Sequence, residues 1–211
     1  MTDEASIAAA VAAIAAKHGR IDIIHNNAAI QNETQRAGDL DVVNLDVRAW
    51  DAAMAVNVRG PMLLGKYAIP VMIAGGGGSI IHAASGFGLL AETTLTSYGA
   101  SKAALINLSR FMATQYGKQG IRSNAIAIGF VLSDNAVEST PQMVKDILLS
   151  HHLNPEFGLP RDIANVVAFL ASDDSKFING ALIPVDGGFT AHQASMVDFQ
   201  KLFAAVGSNQ L

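Results

Sequence analysis

Short apolar runs alternate along this chain with stretches whose apolar residues recur every three or four positions. Residues 3–18 place Ile7, Val11 and Ile14 on one stripe behind acidic Asp3 and Glu4, which predicts a helix closed by Gly19. Residues 21–25 form a β-branched run ending in the polar pair Asn26-Asn27, the pattern of a strand. Helical patterns follow over 48–56 and 58–73, and Gly75 to Gly78 make a flexible turn into a strand over 79–84. A long helix is predicted over 98–116, stopping at Gly117, then a strand over 123–128 and a helix over 140–151. Gly158-Leu159-Pro160 is a turn with proline at a helix start, and residues 163–171 carry that helix's apolar face. A fourth strand over 181–185 closes on Asp186-Gly187-Gly188. Near-continuous apolar strands separated by helices predict an α/β fold with a parallel sheet covered on both faces, within one domain over residues 1–211.

Composition narrows the chemistry. Half of the 211 residues are hydrophobic and 15% are charged, enough for a sizeable core and against disorder. A net charge of -4 gives no reason to expect nucleic acid or an acidic membrane surface as a partner. The alanine-rich run from Ile7 to Ala16 is too short to span a bilayer, and Lys66 interrupts the other long apolar stretch. The acidic start, Met1-Thr2-Asp3-Glu4, is unlike a secretory signal, so a cytoplasmic protein is expected. With no cysteine, disulfides and thiolate chemistry are excluded.

The residues with the clearest chemical message are Tyr98-Gly-Ala-Ser-Lys102, preceded by Ser85 at the end of an apolar strand. On a helix Tyr98 and Lys102 share a face, and an ammonium beside a phenol is expected to lower its pKa from an ordinary value near ~10. Such a tyrosine is a general acid/base. Alone, each of these residues has an ordinary structural explanation; the joint pattern carries the reading. Gly86-Phe-Gly88-Leu-Leu-Ala91 fits the form Gly-x-Gly-x-x-Gly/Ala, but a loop follows where a dinucleotide site needs a helix, so it is read as a loop after Ser85. His151-His152, adjacent on a helix, would face apart, and no metal site is expected. His25 and His82 fall within strands and are expected to pack in the sheet.

Together the motifs resemble the short-chain dehydrogenases/reductases of the shorter type. Asn26-Asn27-Ala28-Ala29 is similar to the family's Asn-Asn-Ala-Gly turn, and Asn57 in Val56-Asn57-Val58-Arg59-Gly60 to its asparagine. Ser85, Tyr98 and Lys102 match its serine, tyrosine and lysine in order and spacing. Ile128-Gly129-Phe130-Val131-Leu132-Ser133 sits where the family has Pro-Gly-x-Val-x-Thr. The resemblance implies a Rossmann-like, doubly wound sheet and nicotinamide-dependent interconversion of a secondary alcohol and a ketone. Tyr98 would exchange the proton, Lys102 would tune it and hold the nicotinamide ribose, Ser85 would bind the substrate oxygen, and Asn57 would hold a water serving Lys102. NAD or NADP is the implied cofactor, held through Asn27, Ala28, Ala29, Tyr98, Lys102, Gly129, Val131 and Ser133. Phe87, Leu89, Leu90, Leu95 and Phe130, with the segment 133–157, are expected to line an apolar substrate pocket.

The resemblance also implies that the N-terminal glycine-rich cofactor-binding portion is lacking. Of the family's strand order 3-2-1-4-5-6-7 this chain would keep 4-5-6-7, leaving residues 21–26 as an edge strand open to pairing. Ala29 for glycine would crowd the backbone approach to the cofactor, and Ile128 for proline would loosen a turn. A homodimer or homotetramer is implied. Two functional readings follow: an oxidoreductase, or a catalytically silent remnant that keeps the assembly surfaces without dinucleotide binding.

Overall fold

In the computed structural model, which describes residues 2–206, the chain folds as a four-stranded parallel sheet flanked by helices. Helix α1 (Glu4–His18) begins where the Asp3 carboxylate accepts the Ala5 N–H and ends at Gly19 in the left-handed conformation. Strand β1 (Ile23–Asn26) leads into α2 (Glu33–Gly38) and α3 (Val47–Met54). A π-helical turn, Ala55–Arg59, joins α3 to α4 (Gly60–Ala74), so the two helices predicted over 48–56 and 58–73 run as one body with a bulge at Asn57. Strand β2 (Gly78–Ser85), α5 (Thr96–Tyr116) and β3 (Ile121–Ile128) form the centre. Then come α6 (Asp134–Ser139), α7 (Gln142–Ser150), α8 (Pro160–Ala171), β4 (Leu182–Val185) and α9 (Met196–Val206).

Sheet order is β1-β2-β3-β4, every pair parallel, with Asn26 opposite His82 and Ser85 opposite Ile128. Parallel pairing requires crossovers, and the helices supply them on both faces. On β2, Ile80 packs with Val11, Ala68, Ile69, Met72 and Met112 from α1, α4 and α5. Its neighbour Ile81 points the other way, onto Leu170 of α8. Both faces of the central strands are therefore buried, as the apolar runs predict.

β1 is an edge strand, and its outward residues show it: Ile23 is 50% exposed and His25 is exposed rather than packed in the sheet. His82, by contrast, is fully buried. The helix predicted over 140–151 is α7, trimmed at each end to Gln142–Ser150, with Pro141 at its cap; α6 precedes it and stops at Ser139, because Pro141 lacks the N–H to continue it. No prediction covered α2, α6 or α9. Ala29 does not adopt a left-handed backbone, so its methyl costs no strain there. Among the described residues, no helix is long and apolar enough to cross a membrane.

Candidate active site

The carboxyl ends of β1, β2 and β3 open onto a cleft of about 260 Å³ lined by Asn27, Ala29, Gln31, Ala83, Ala84, Ser85, Tyr98, Lys102, Ile128 and Gly129. Such a crevice outside the strand ends is where open α/β sheets bind ligands. Ser85 reaches it because β2 ends there; its hydroxyl caps the short 3₁₀ turn Gly86–Gly88, accepting the Phe87 N–H at 3.3 Å. That turn packs on α5 rather than opening a helix; a Cβ on Gly88 would sit 2.9 Å from the Lys102 carbonyl carbon.

Tyr98 lies in the first turn of α5, which starts two residues before the predicted Tyr98 boundary. Two features set that start. Leu95 takes a left-handed conformation, φ 61°, uncommon for a branched residue. The buried Asp39 then caps the helix, its carboxylate accepting N–H bonds from Ser97 at 2.7 Å and Tyr98 at 3.0 Å, while its carbonyl accepts the Leu95 N–H at 2.9 Å. Asn57 secures the same turn from below. Its amide donates to Ser101 Oγ at 2.9 Å, which donates to the Tyr98 carbonyl at 2.7 Å, and its Oδ1 accepts the Ile30 N–H at 3.1 Å. The Asn57 side chain thus ties the loop after β1 to α5.

Lys102 is 3% exposed, and its Nζ donates to the Ala83 carbonyl at 2.6 Å. It lies over the Tyr98 ring, 5.4 Å from the centroid. Burial lowers its pKa from 10.5 to about 8. The expectation of an acidified phenol is corrected here: burial raises the Tyr98 pKa above its ordinary 10. The opposing influences are hydrogen bonds with Ser85 and Gln31 and the charge of Arg36. Desolvation of the phenol outweighs them, and the Lys102 amine is turned to a carbonyl instead of the hydroxyl.

Of the remaining predicted residues, Asn27, Ala29 and Gly129 line the cleft, while Ala28, Val131 and Ser133 do not. Val131 pairs with Gly158, and Ser133 caps α6 by accepting the Ala136 N–H. The expected apolar pocket is not assembled as one surface. Phe87 packs edge-on against Tyr98 at 6.1 Å, but Leu89 and Leu90 are exposed, and Phe130 lies in a separate smaller cleft beside Phe157. His151 and His152 follow α7 rather than lie on it, with His152 Nδ1 donating to the Leu148 carbonyl at 2.7 Å. No group of three metal-ligating side chains occurs among the described residues. Sequence patterns had not singled out Gln31, Arg36 or Asp39.

A half-buried phenol and a serine hydroxyl lining one cleft can pass a proton to an oxygen held between them. Comparison with known proteins gives the family. Residues 1–190 match the family model described as enoyl-(acyl carrier protein) reductase. The chain is 42% identical over 196 residues to a protein of Bradyrhizobium diazoefficiens named a probable short-chain type dehydrogenase/reductase, covering 92% of this chain and 69% of that one. It is 39% identical over 180 residues to a 7alpha-hydroxysteroid dehydrogenase of Bacteroides fragilis, covering 85% and 68%. Its fold matches a gluconate 5-dehydrogenase from Burkholderia cenocepacia, solved in complex with NADP and tartrate, with a TM-score of 0.83 at 30% identity over 91% of this chain and 73% of that one.

Proposed function

The chain belongs to the short-chain dehydrogenase/reductase family of oxidoreductases, and on that premise we propose that its cleft interconverts a secondary alcohol and a ketone with NAD or NADP. The single observation that carries this reading is that Ser85, Tyr98 and Lys102 line one cleft at the strand ends.

The residues present fit the nicotinamide end of such a cofactor. Lys102 has three N–H donors and commits one to Ala83, leaving two for ribose hydroxyls. Asn27 and Gly129 border the same space. When bound, the nicotinamide supplies or accepts the hydride. Among the described residues no strand runs through a glycine-rich turn directly into an α-helix, the arrangement that cradles a pyrophosphate.

The substrate oxygen sits between the Ser85 hydroxyl and the Tyr98 hydroxyl. Ser85 donates a hydrogen bond to it, and Tyr98 takes its proton in oxidation or returns one in reduction. The Lys102 charge stabilises the tyrosinate that oxidation requires. Asn57 and Asp39 hold the first turn of α5, which fixes the phenol against Ser85. Asn27, Ala29 and Gly129 leave room beside it for the pyridine ring.

A second reading, a catalytically silent assembly subunit, is favoured by the open edge of β1. Titration of the purified chain with NADH and NADPH, followed by nicotinamide fluorescence, separates the two. Saturable binding with ketone-dependent loss of the reduced cofactor, abolished in Tyr98→Phe, supports the enzyme. Absent binding by both nucleotides supports the silent subunit.

A further inference from the structure

Arg36 reaches Gln31, a lining residue of the catalytic cleft, and joins no ion pair among the described residues. It is exposed on α2, and its guanidinium donates only to Gln31 Oε1, at 3.4 Å, long for an N–H···O bond. The described ion pairs are Arg20–Asp22, Arg48–Asp46 and Lys66–Glu4, and Arg36 joins none of them, although Glu33 lies on its own helix. Gln31 lines the cleft itself. With its amide oxygen turned to Arg36, its NH₂ group is left for the side on which the Tyr98 hydroxyl lies. Arg36 is near enough to that hydroxyl for its charge to favour the tyrosinate.

The other charges around the cleft make this arrangement selective. None of the ten lining residues is acidic. The only cation among them, Lys102, is buried and bonded to the Ala83 carbonyl. A ligand entering the cleft therefore meets one cation deep inside and can reach a second beside Gln31, with no carboxylate among the lining residues. A guanidinium is a planar, permanently charged fork that matches the two oxygens of a carboxylate. From this we infer that Arg36, braced by Gln31, is a binding subsite for a carboxylate carried by the substrate, so that the preferred substrates are hydroxy acids or keto acids of an apolar skeleton. This rests on the proposed reaction, which places the reacting oxygen at Tyr98 and Ser85; the acid group then lies on the Gln31 side of the phenol.

The test is a binding measurement, which does not require turnover. A hydroxycyclohexanecarboxylate and its methyl ester are titrated into the whole chain without nucleotide, with ligand-observed NMR as the readout. The acid is expected to bind about fivefold more tightly than the ester, a preference that shrinks with added salt. Arg36→Gln should remove the preference, Arg36→Lys should retain part of it, and Tyr98→Phe should leave it in place. Equal binding of acid and ester by the wild-type chain overturns the inference, as does no binding of the acid or an unchanged preference in Arg36→Gln. If Arg36→Gln instead weakens nicotinamide mononucleotide and spares the acid, the cation serves the cofactor and the inference is likewise overturned. An acid preference without Tyr98-dependent turnover would remove the proposed reaction and leave the subsite standing.

Discussion

The Asp39 carboxylate accepts the backbone N–H of Tyr98 at 3.0 Å, across 59 positions of sequence. Its other oxygen takes the Ser97 N–H, so one buried side chain satisfies two of the donors left open at the start of α5. Asp39→Ala should therefore cost about 2–3 kcal/mol, above an ordinary exposed cap because a carboxylate serves two N–H groups, one buried and one part-buried. Tyr98 sits on the turn that would fray. Any turnover should fall more than substrate affinity, and Asp39→Asn, which keeps one acceptor, should recover part of both stability and rate. Urea unfolding midpoints and a kcat against KM comparison check this.

His82 lies at the sheet centre, between Asn26 Nδ2 at 3.2 Å and Ser123 Oγ at 3.2 Å, with Ser123 bonded onward to Ser109 of α5 at 3.0 Å. An amide donor at Nδ1 makes Nε2 the protonated nitrogen of a neutral ring. Burial first, then the charges of His25 and Lys102, lowers its pKa from 6.5 to about 4. Between those values the unfolded chain binds a proton that the folded chain does not, so stability falls as pH drops from 6.5 towards 4. The loss through this group is about 3 kcal/mol in all. Unfolding midpoints measured across that range should fall steeply for the wild-type chain and more gently for His82→Asn, in which nothing titrates at this site.

The strands were legible because each apolar run is bounded by turn residues, and burial on both faces removes the alternation that would make a half-buried strand ambiguous. The Tyr98–Lys102 and Ser85 constellation was legible because helix spacing and a strand end place those residues together. Asp39 was not, since the partners of its carboxylate are 58 and 59 residues away and nothing local marks it as a cap. Helix α2 was missed because residues 33–38 carry no apolar period; Gln35 is its buried anchor, donating to the Ala49 carbonyl at 2.7 Å. Helix α9 did carry a signal, with Phe199, Leu202, Phe203 and Val206 at helical spacing. The direction of the Tyr98 pKa was misread because spacing gives proximity to an amine but not where that amine points, nor how far the phenol is buried.

Gly129 looks in sequence like a cofactor contact, yet the structure gives it a packing reason. A Cβ there would lie 2.7 Å from the Asp186 Cα and 2.8 Å from its Cβ. Asp186 cannot give way easily, because its carboxylate organises the turn after β4, accepting from Gly188 N–H at 2.9 Å and from the Thr190 hydroxyl at 2.6 Å. Gly129→Ala should separate the ends of β3 and β4 and destabilise the fold by about 1–3 kcal/mol, the usual range for overpacking. Thermal unfolding of the chain without nucleotide is the deciding measurement; an unchanged midpoint would leave the cofactor as the glycine's reason.

Lys102 places function and stability in opposition. Its ammonium is buried with one carbonyl as partner, and its pKa falls from 10.5 to about 8. Below about pH 8 both folded and unfolded chains hold the proton, and the folded chain carries the full desolvation cost, about 3 kcal/mol by the size of the shift. From about pH 8 to 10.5 the unfolded chain retains a proton that the folded chain releases, so this group makes stability rise with pH. Lys102→Met fills the same space without a charge. At neutral pH that variant should be more stable than the wild-type chain, by up to about 3 kcal/mol, and should lose the rise between pH 8 and 10.5. The same substitution removes the donors proposed for the ribose and the charge that favours tyrosinate, so any turnover should be abolished. A gain in unfolding midpoint together with loss of nicotinamide binding would show that this cation is retained for the ligand and not for the fold.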